Sequence, residues 1–228
     1  MQKEIIRNIK NIKERIDIAC SMANVESKSL TLIAVSKKKS HELIEAAIEN
    51  GIYDFGENYA QELMEKSKII NSDKITWHYI GPIQSNKIKV IALYANWVHT
   101  LDREKVIRKL DRECKQINKV INACIQVNVS SEISKNGCKP SELIDIAKIV
   151  KSMENINLKG IMALPKLTNN KIEQAKMMES VKNLSLELQS LDPSATTISL
   201  GTTSDFQEAI LYGSTMLRIG ESIFGKRS

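Results

Sequence analysis

The sequence predicts an α/β fold: a single (β/α)8 TIM barrel with an extra N-terminal helix. Three observations predict it. Eight short, β-branched runs alternate with longer amphipathic stretches. The repeat is roughly 25 residues, which suits a barrel fold of ~250 residues. A doubly wound open sheet, the rival architecture, would want a Gly-rich turn after its first strand, and LIAVSKKKS offers none.

The elements follow in order. Ile5, Ile6, Ile9, Ile12, Ile16, Ile18 and Ala19 recur at helical spacing among Lys and Glu, predicting a helix over residues 1–24. Strands are expected at Leu30–Lys37, Tyr53–Phe55, Ile75–Gly81, Trp97–Leu101, Ala123–Val129, Leu158–Leu164, Thr196–Leu200 and Thr215–Ile219. Helical patterns lie between them, at Ser40–Asn50, Tyr59–Ile70, Ser85–Tyr94, Asp102–Ile117, Pro140–Ser152, Lys171–Leu191 and Ser204–Tyr212. Ser40, Asp102 and Pro140-Ser141-Glu142 read as helix starts. No linker or charge block divides residues 1–228, so one domain is expected, with the barrel over 30–225.

Composition excludes several classes. At 42% hydrophobic and 26% charged residues the chain is ordinary globular material. No apolar stretch approaches the roughly 20 residues of a membrane span, and the charged N-terminus carries no signal-peptide core. Cys20, Cys114, Cys124 and Cys138 are scattered without a C-x-x-C pair, so reduced thiols, no metal and a cytoplasmic location are expected. The net charge of +6 permits a polyanion partner. With lysines spread over helix faces and only 4% aromatics, no specific nucleic-acid partner is expected.

In a barrel, function collects at the C-terminal ends of the strands. Lys37 follows Ile33 and Val35 at period two, on the face that would look inward. An inward lysine is costly unless paired, deprotonated or covalently used, and a neutral amine attacks carbonyls. Lys37-Lys38-Lys39 also reads as a solvated basic turn. The last two strands end in Ser199-Leu200-Gly201-Thr202-Thr203-Ser204 and Gly220-Glu221-Ser222, small residues and hydroxyls where barrels often bind phosphate. Plain turn chemistry explains those loops equally. Together, an inward lysine and a phosphate cradle suggest an aldehyde-bearing phosphate ester, for which pyridoxal 5'-phosphate (PLP) is the candidate.

Six segments then carry a resemblance: AVSK (34–37), FGENYAQE (55–62), WHYIGPIQSNK (77–87), VNVSSEISKNG (127–137), SLGTTSDFQEAI (199–210) and STMLRIGESIFG (214–225). In this order they resemble the pyridoxal phosphate homeostasis proteins of the YggS/PROSC type. The resemblance implies a barrel like the N-terminal domain of alanine racemase, a fold type III PLP architecture. It implies an internal aldimine on Lys37, Arg218 facing the pyridine nitrogen, and Asn58 near the ring. Ser199, Gly201, Thr203, Gly220 and Glu221 would contact the phosphate, partly through backbone N–H groups. Leu200 and Thr202 stand where methionine is common in that family, and 164–167 is less proline-rich. Glu221 brings a carboxylate to the phosphate, so its side chain is expected to point away.

Three functions compete. The resemblance favours a non-catalytic PLP carrier that buffers or delivers the cofactor, with PLP-dependent apo-enzymes as possible partners and a monomeric state. The alternative is a PLP-dependent racemase or decarboxylase of the same fold. Racemases of this fold carry a β-rich second domain with the opposing base, and eight βα units consume nearly all 228 residues. An arginine at the pyridine nitrogen also weakens PLP as an electron sink, although racemases share it. His78 and His99 are expected to be satisfied barrel histidines, and Trp77, Tyr79 and Trp97 packing residues. No catalytic residue is assigned. The third possibility, nucleic-acid binding, rests on basicity alone.

Overall fold

A computed structural model describes residues 2–130, 136–166 and 168–225. Met1, the middle of VNVSSEISKNG (131–135), Leu167 and the C-terminal Lys226-Arg227-Ser228 lie outside the described residues.

Eight parallel strands close into a barrel in sequence order: β1 Thr31–Val35, β2 Asp54–Glu57, β3 Thr76–Tyr79, β4 Trp97–Leu101, β5 Ile121–Val127, β6 Ile156–Ala163, β7 Thr197–Ser199 and β8 Met216–Ile219. The helices are α1 Gln2–Ala23, α2 His41–Glu49, α3 Ala60–Ile69, α4 Ile88–Tyr94, α5 Glu104–Gln116, α6 Leu143–Lys151, α7 Lys171–Leu191, α8 Phe206–Leu211 and α9 Glu221–Phe224. β8 pairs with β1, Arg218 opposite Ile33, which closes the ring.

Alternation sorts the strand residues. Ala34, Phe55, Trp77 and Val98 belong to the apolar shell under the helices. Ile33, Gly56, His78, Met162, Ser199 and Arg218 share the inner face through the register pairs Ile33–Arg218, Gly56–His78 and Met162–Ser199. Branched aliphatics usually fill a barrel interior. This one holds two histidines, a serine and an arginine, all buried.

The helices obey their stripes, with corrections. In α1 the buried residues are Ile5, Ile9, Ile12, Ile16, Ala19 and Cys20, one face at helical period. Ile6 and Ile18 lie off that stripe and are exposed. Each buried isoleucine contributes roughly 1.5–3 kcal/mol. α5 starts at Glu104, one turn position later than Asp102 suggests. Asp102 Oδ1 instead accepts from Arg103 Nη1 at 2.6 Å. Pro140–Glu142 forms a 3-10 turn ahead of α6. The short α9, four residues long and separated from β8 by Gly220 alone, had no periodic signal in the sequence.

α1 lies against α8, α9 and α2, where a long helix following β8 would otherwise pack. Asn8 Nδ2 donates to the Ile223 carbonyl (3.1 Å), Arg15 Nη2 to Gln207 Oε1 (2.8 Å), and the Arg15 guanidinium sits 4.7 Å above the Phe206 ring. All four cysteines are buried and none is in a disulfide. Among the described residues no helix is long and apolar enough to cross a membrane.

Candidate functional site

A cavity of about 760 Å³ opens at the C-terminal end of the barrel, within the roughly 300–1,000 Å³ typical of small-molecule sites. Its wall includes Lys37, Asn58, Thr203, Arg218, Gly220 and Glu221, all expected from the sequence. It also includes Val35, Thr202 and Ser204, read from the sequence as inward-facing or as part of the phosphate loop, and Lys39 and Ile80, which were not assigned to a site. Ser199 and Gly201, grouped with these in the sequence reading, are not in the wall.

The placement of those two has a physical reason. Ser199 ends a strand whose alternation turns its side chain into the barrel, where it is fully buried. Its Oγ is 2.5 Å from Arg218 Nη1 and 2.8 Å from His99 Nδ1. Gly201 has φ +92, and a Cβ there would stand 2.8 Å from Ala209 Cβ. Its glycine is required by the close pass of α8 and by its backbone conformation. Its carbonyl accepts from Arg218 N at 3.0 Å.

Arg218 is the buried cation of the site. Nη1 donates to Ser199 Oγ and Nη2 to the Ala163 carbonyl at 2.9 Å. Burial pulls its pKa down to about 10, against the favourable charge of Asp205, so it remains charged at neutral pH. Asp205 also holds the 202–204 loop: its Oδ1 accepts from Thr202 N at 2.6 Å and Thr202 Oγ1 at 2.8 Å.

Behind Arg218 runs a chain of polar groups. His99 Nε2 lies 2.9 Å from His78 Nδ1, and His78 Nε2 lies 2.9 Å from Asp54 Oδ1. One proton assignment satisfies every member: Arg218 donates to Ser199, Ser199 to His99, His99 to His78, and His78 to the Asp54 carboxylate. Both imidazoles are then neutral. Burial lowers both pKa values; Asp54 opposes the shift at His78, while His78 and Arg218 deepen it at His99. These are satisfied barrel histidines, as expected, and Trp97 stacks on His78 at 5.8 Å.

Lys37 stands two residues past β1, in a turn closed by Lys39 N donating to the Ser36 carbonyl at 2.9 Å. Lys38 takes a positive φ of +59 there. The turn is anchored from outside the barrel. Lys66 Nζ, buried on α3, donates to the Ser36 carbonyl (2.7 Å), Glu57 Oε1 (2.8 Å) and Glu62 Oε2 (2.8 Å). Ser36 Oγ donates to Glu57 Oε1 at 2.6 Å, and the Lys38 N–H to Glu62 Oε2 at 2.6 Å. Burial pushes the Glu57 carboxyl up to about 7, against the pull of Lys66 and Ser36.

Sequence reasoning missed this cluster. Glu57 was legible only as a strand-end residue. The available signal was Lys66, a lysine in phase with the buried Ala60 and Leu63 of α3.

Asn58 follows β2 at the cavity edge. A Cβ on Gly81 would fall 2.0 Å from the Asn58 carbonyl oxygen, so only glycine lets the two backbones meet.

Comparisons with known proteins add the rest. The family of the alanine racemase N-terminal domain matches residues 5–228. A pyridoxal phosphate homeostasis protein of Haemophilus influenzae is 38% identical over 228 residues, covering 98% of this chain and 96% of the relative. The structure of PipY of Synechococcus elongatus with PLP bound superposes with a TM-score of 0.81 at 28% identity, covering 94% of this chain and all of that one. An alanine racemase of Clostridium difficile shares the fold at TM-score 0.80 and 12% identity, covering 99% of this chain and 57% of that one.

Proposed function

This chain belongs to the family of pyridoxal phosphate homeostasis proteins, and from that premise we propose that it binds PLP reversibly and serves to buffer or deliver it. The observation that carries the proposal is the meeting of Lys37 and Arg218 in one cavity beside the hydroxyl-bearing loop 202–204.

The residues fit the group. PLP presents an aldehyde, a ring nitrogen that accepts hydrogen bonds, and a phosphate. The wall supplies an amine (Lys37), a buried guanidinium (Arg218), three hydroxyls (Thr202, Thr203, Ser204) and the amide of Asn58. When bound, PLP supplies an aldehyde carbon to which an amine nitrogen adds with loss of water. In this reading Lys37 is the covalent anchor, Arg218 donates to the ring nitrogen, and Thr203 with the backbone around Gly220 and Glu221 receives the phosphate. Asn58 stands by the ring. Ser199 and Gly201 act one step back, through Arg218. Glu221 is exposed, which leaves room for its carboxylate to avoid the anion.

The same geometry favours holding over turnover. Racemisation needs a proton donor and acceptor on opposite faces of the bound substrate. His78 and His99 are buried with both ring nitrogens engaged. Lys39 Nζ is 3.2 and 3.3 Å from the Phe224 and Gly225 carbonyls. Among the described residues of the wall, Lys37 is then the amine we assign to the aldehyde, and an incoming amine or an apo-enzyme lysine would be its competitor.

The test is an absorption titration with PLP, followed by borohydride reduction and peptide mapping. A visible band that borohydride bleaches, with the label on Lys37, is the expected result. Label on Lys38 or Lys39, or no band, overturns it.

A further inference from the structure

We propose that the buried Glu57–Lys66–Glu62 bridge is a positioning latch that fixes the turn after β1 and so aims Lys37 into the cavity. The proposal rests on the reading that Lys37 takes the PLP aldehyde.

The argument begins with the backbone. Lys37 is not in a strand; it is carried by the Ser36–Lys39 turn, whose third residue has positive φ. A non-glycine residue in that region is held there by its surroundings. Here the surroundings are charged groups on α3 and β2. The Ser36 carbonyl, the Ser36 hydroxyl and the Lys38 N–H each meet a member of the bridge at 2.6–2.7 Å. The three contacts flank Lys37 on both sides along the chain and none involves its own side chain.

The bridge is also costly to keep. Glu57 and Lys66 are almost fully buried, side chains 0% and 9% exposed, and an apolar pair would fill such a place at lower desolvation cost. Glu57 Oε2 has no partner among the described residues. A buried, incompletely satisfied ion cluster is a poor source of stability, which agrees with a role in holding geometry here. The charged and titratable groups facing Glu57 are Lys66 and Glu62, both from α3, with the Ser36 hydroxyl on the β1 side. Glu57 titrates near neutrality, so acidification weakens its hold on Lys66.

The experiment uses the full chain with and without PLP. Variants are Glu62→Gln, which loses the charge at the outer and less buried end, Lys66→Met, and Glu62→Gln combined with Lys38→Gly. In the apo-protein, amide exchange of the peptide spanning 36–39 is expected to accelerate at least about tenfold in Glu62→Gln and Lys66→Met, while exchange in the β5 peptide stays unchanged. With PLP, the borohydride-bleachable band is expected to form, with faster release to a competing amine. Glycine adopts positive φ without penalty, so Lys38→Gly is expected to restore slow release in the double variant. Normal protection at 36–39 and wild-type release in Glu62→Gln overturn the latch. So does a fall in melting temperature with no change at the turn. If the wild-type protein forms no bleachable band while the turn loosens in the variants, the PLP reading fails and the latch stands only as loop anchoring, which overturns its role toward the cofactor.

Discussion

Arg218 Nη1 meets Ser199 Oγ at 2.5 Å, and this contact joins the cavity to the interior of the barrel. Ser199 passes the alignment on through His99 and His78 to Asp54, near the opposite end of the strands. Arg218 is thereby fixed from behind, and its orientation does not depend on the ligand in front.

Replacing Arg218 with Ala strips donors from Ser199 Oγ and the Ala163 carbonyl. Each buried group left without a partner costs about 1–3 kcal/mol. A lower melting temperature with retained far-UV circular dichroism is expected. Because guanidinium cannot give up its proton near neutrality, its removal frees the PLP ring nitrogen to protonate. The visible spectrum of the loaded variant should therefore vary with pH where the wild type does not, and weaker PLP retention should accompany it. Identical spectra across pH place Arg218 away from the ring.

His99 and Glu57 act on acid stability with opposite signs. His99 is held neutral in the fold, but ionises with a value near 6.5 when unfolded. Its contribution is complete above about pH 6.5 and declines below it, by up to about 1.4 kcal/mol per pH unit. Glu57, raised from 4.5 to about 7, acts with the opposite sign: its contribution is complete below 4.5 and is lost as pH rises through 7. Urea unfolding between pH 5 and 6 should show a shallower acid decline in His99→Asn and a steeper one in Glu57→Gln. The same slope in all three proteins rules this assignment out.

Lys37→Ala should abolish the borohydride-bleachable band while PLP still binds noncovalently through the 202–204 loop and Arg218. Equilibrium dialysis measures what remains. A reduced PLP adduct on Lys38 or Lys39 of this variant would remove Lys37 from its assigned role.

Gly81→Ala is expected to cost about 1–3 kcal/mol, the usual range for overpacking, because its Cβ would land 2.0 Å from the Asn58 carbonyl. Asn58 must move, so PLP affinity should fall along with stability. Calorimetry and PLP titration separate the two; a stable variant with native affinity contradicts the close approach.

No common amino acid should be racemised, transaminated or decarboxylated at rates near the enzyme median of ~10 s⁻¹. Chiral chromatography of overnight incubations checks this. Turnover that disappears in Lys37→Ala would establish an enzyme instead.

The barrel was legible because strands and helices announce themselves by period, and all eight strands lie within a few residues of their expected places. Lys37 could be found because it extends the inward alternation of Ile33 and Val35 past the strand end. Arg218 came from the resemblance, since one arginine in a buried strand does not declare its partner. Ser199 turns into the barrel and Gly201 packs against α8: a loop motif does not show which residues face the cavity and which face the barrel or a helix. Glu57 and Lys66 were opaque for another reason. Their meaning lies in a pairing across two elements, with Ser36 as the third member.

The position of α1 makes the barrel a ring in which the first helix completes the last unit. Its stripe covers α8 and α9, the elements that follow the 202–204 loop and Gly220. An N-terminal deletion to residue 30 would spare every strand and every residue of the cavity wall. It would nevertheless expose the Phe206 and Ile223 side of the two short helices next to the 202–204 loop and Gly220, uncoupling them from Asn8 and Arg15. The sequence separates α1 from β8 by nearly the whole chain, yet Asn8 and Arg15 hold the two helices that follow the cavity loops.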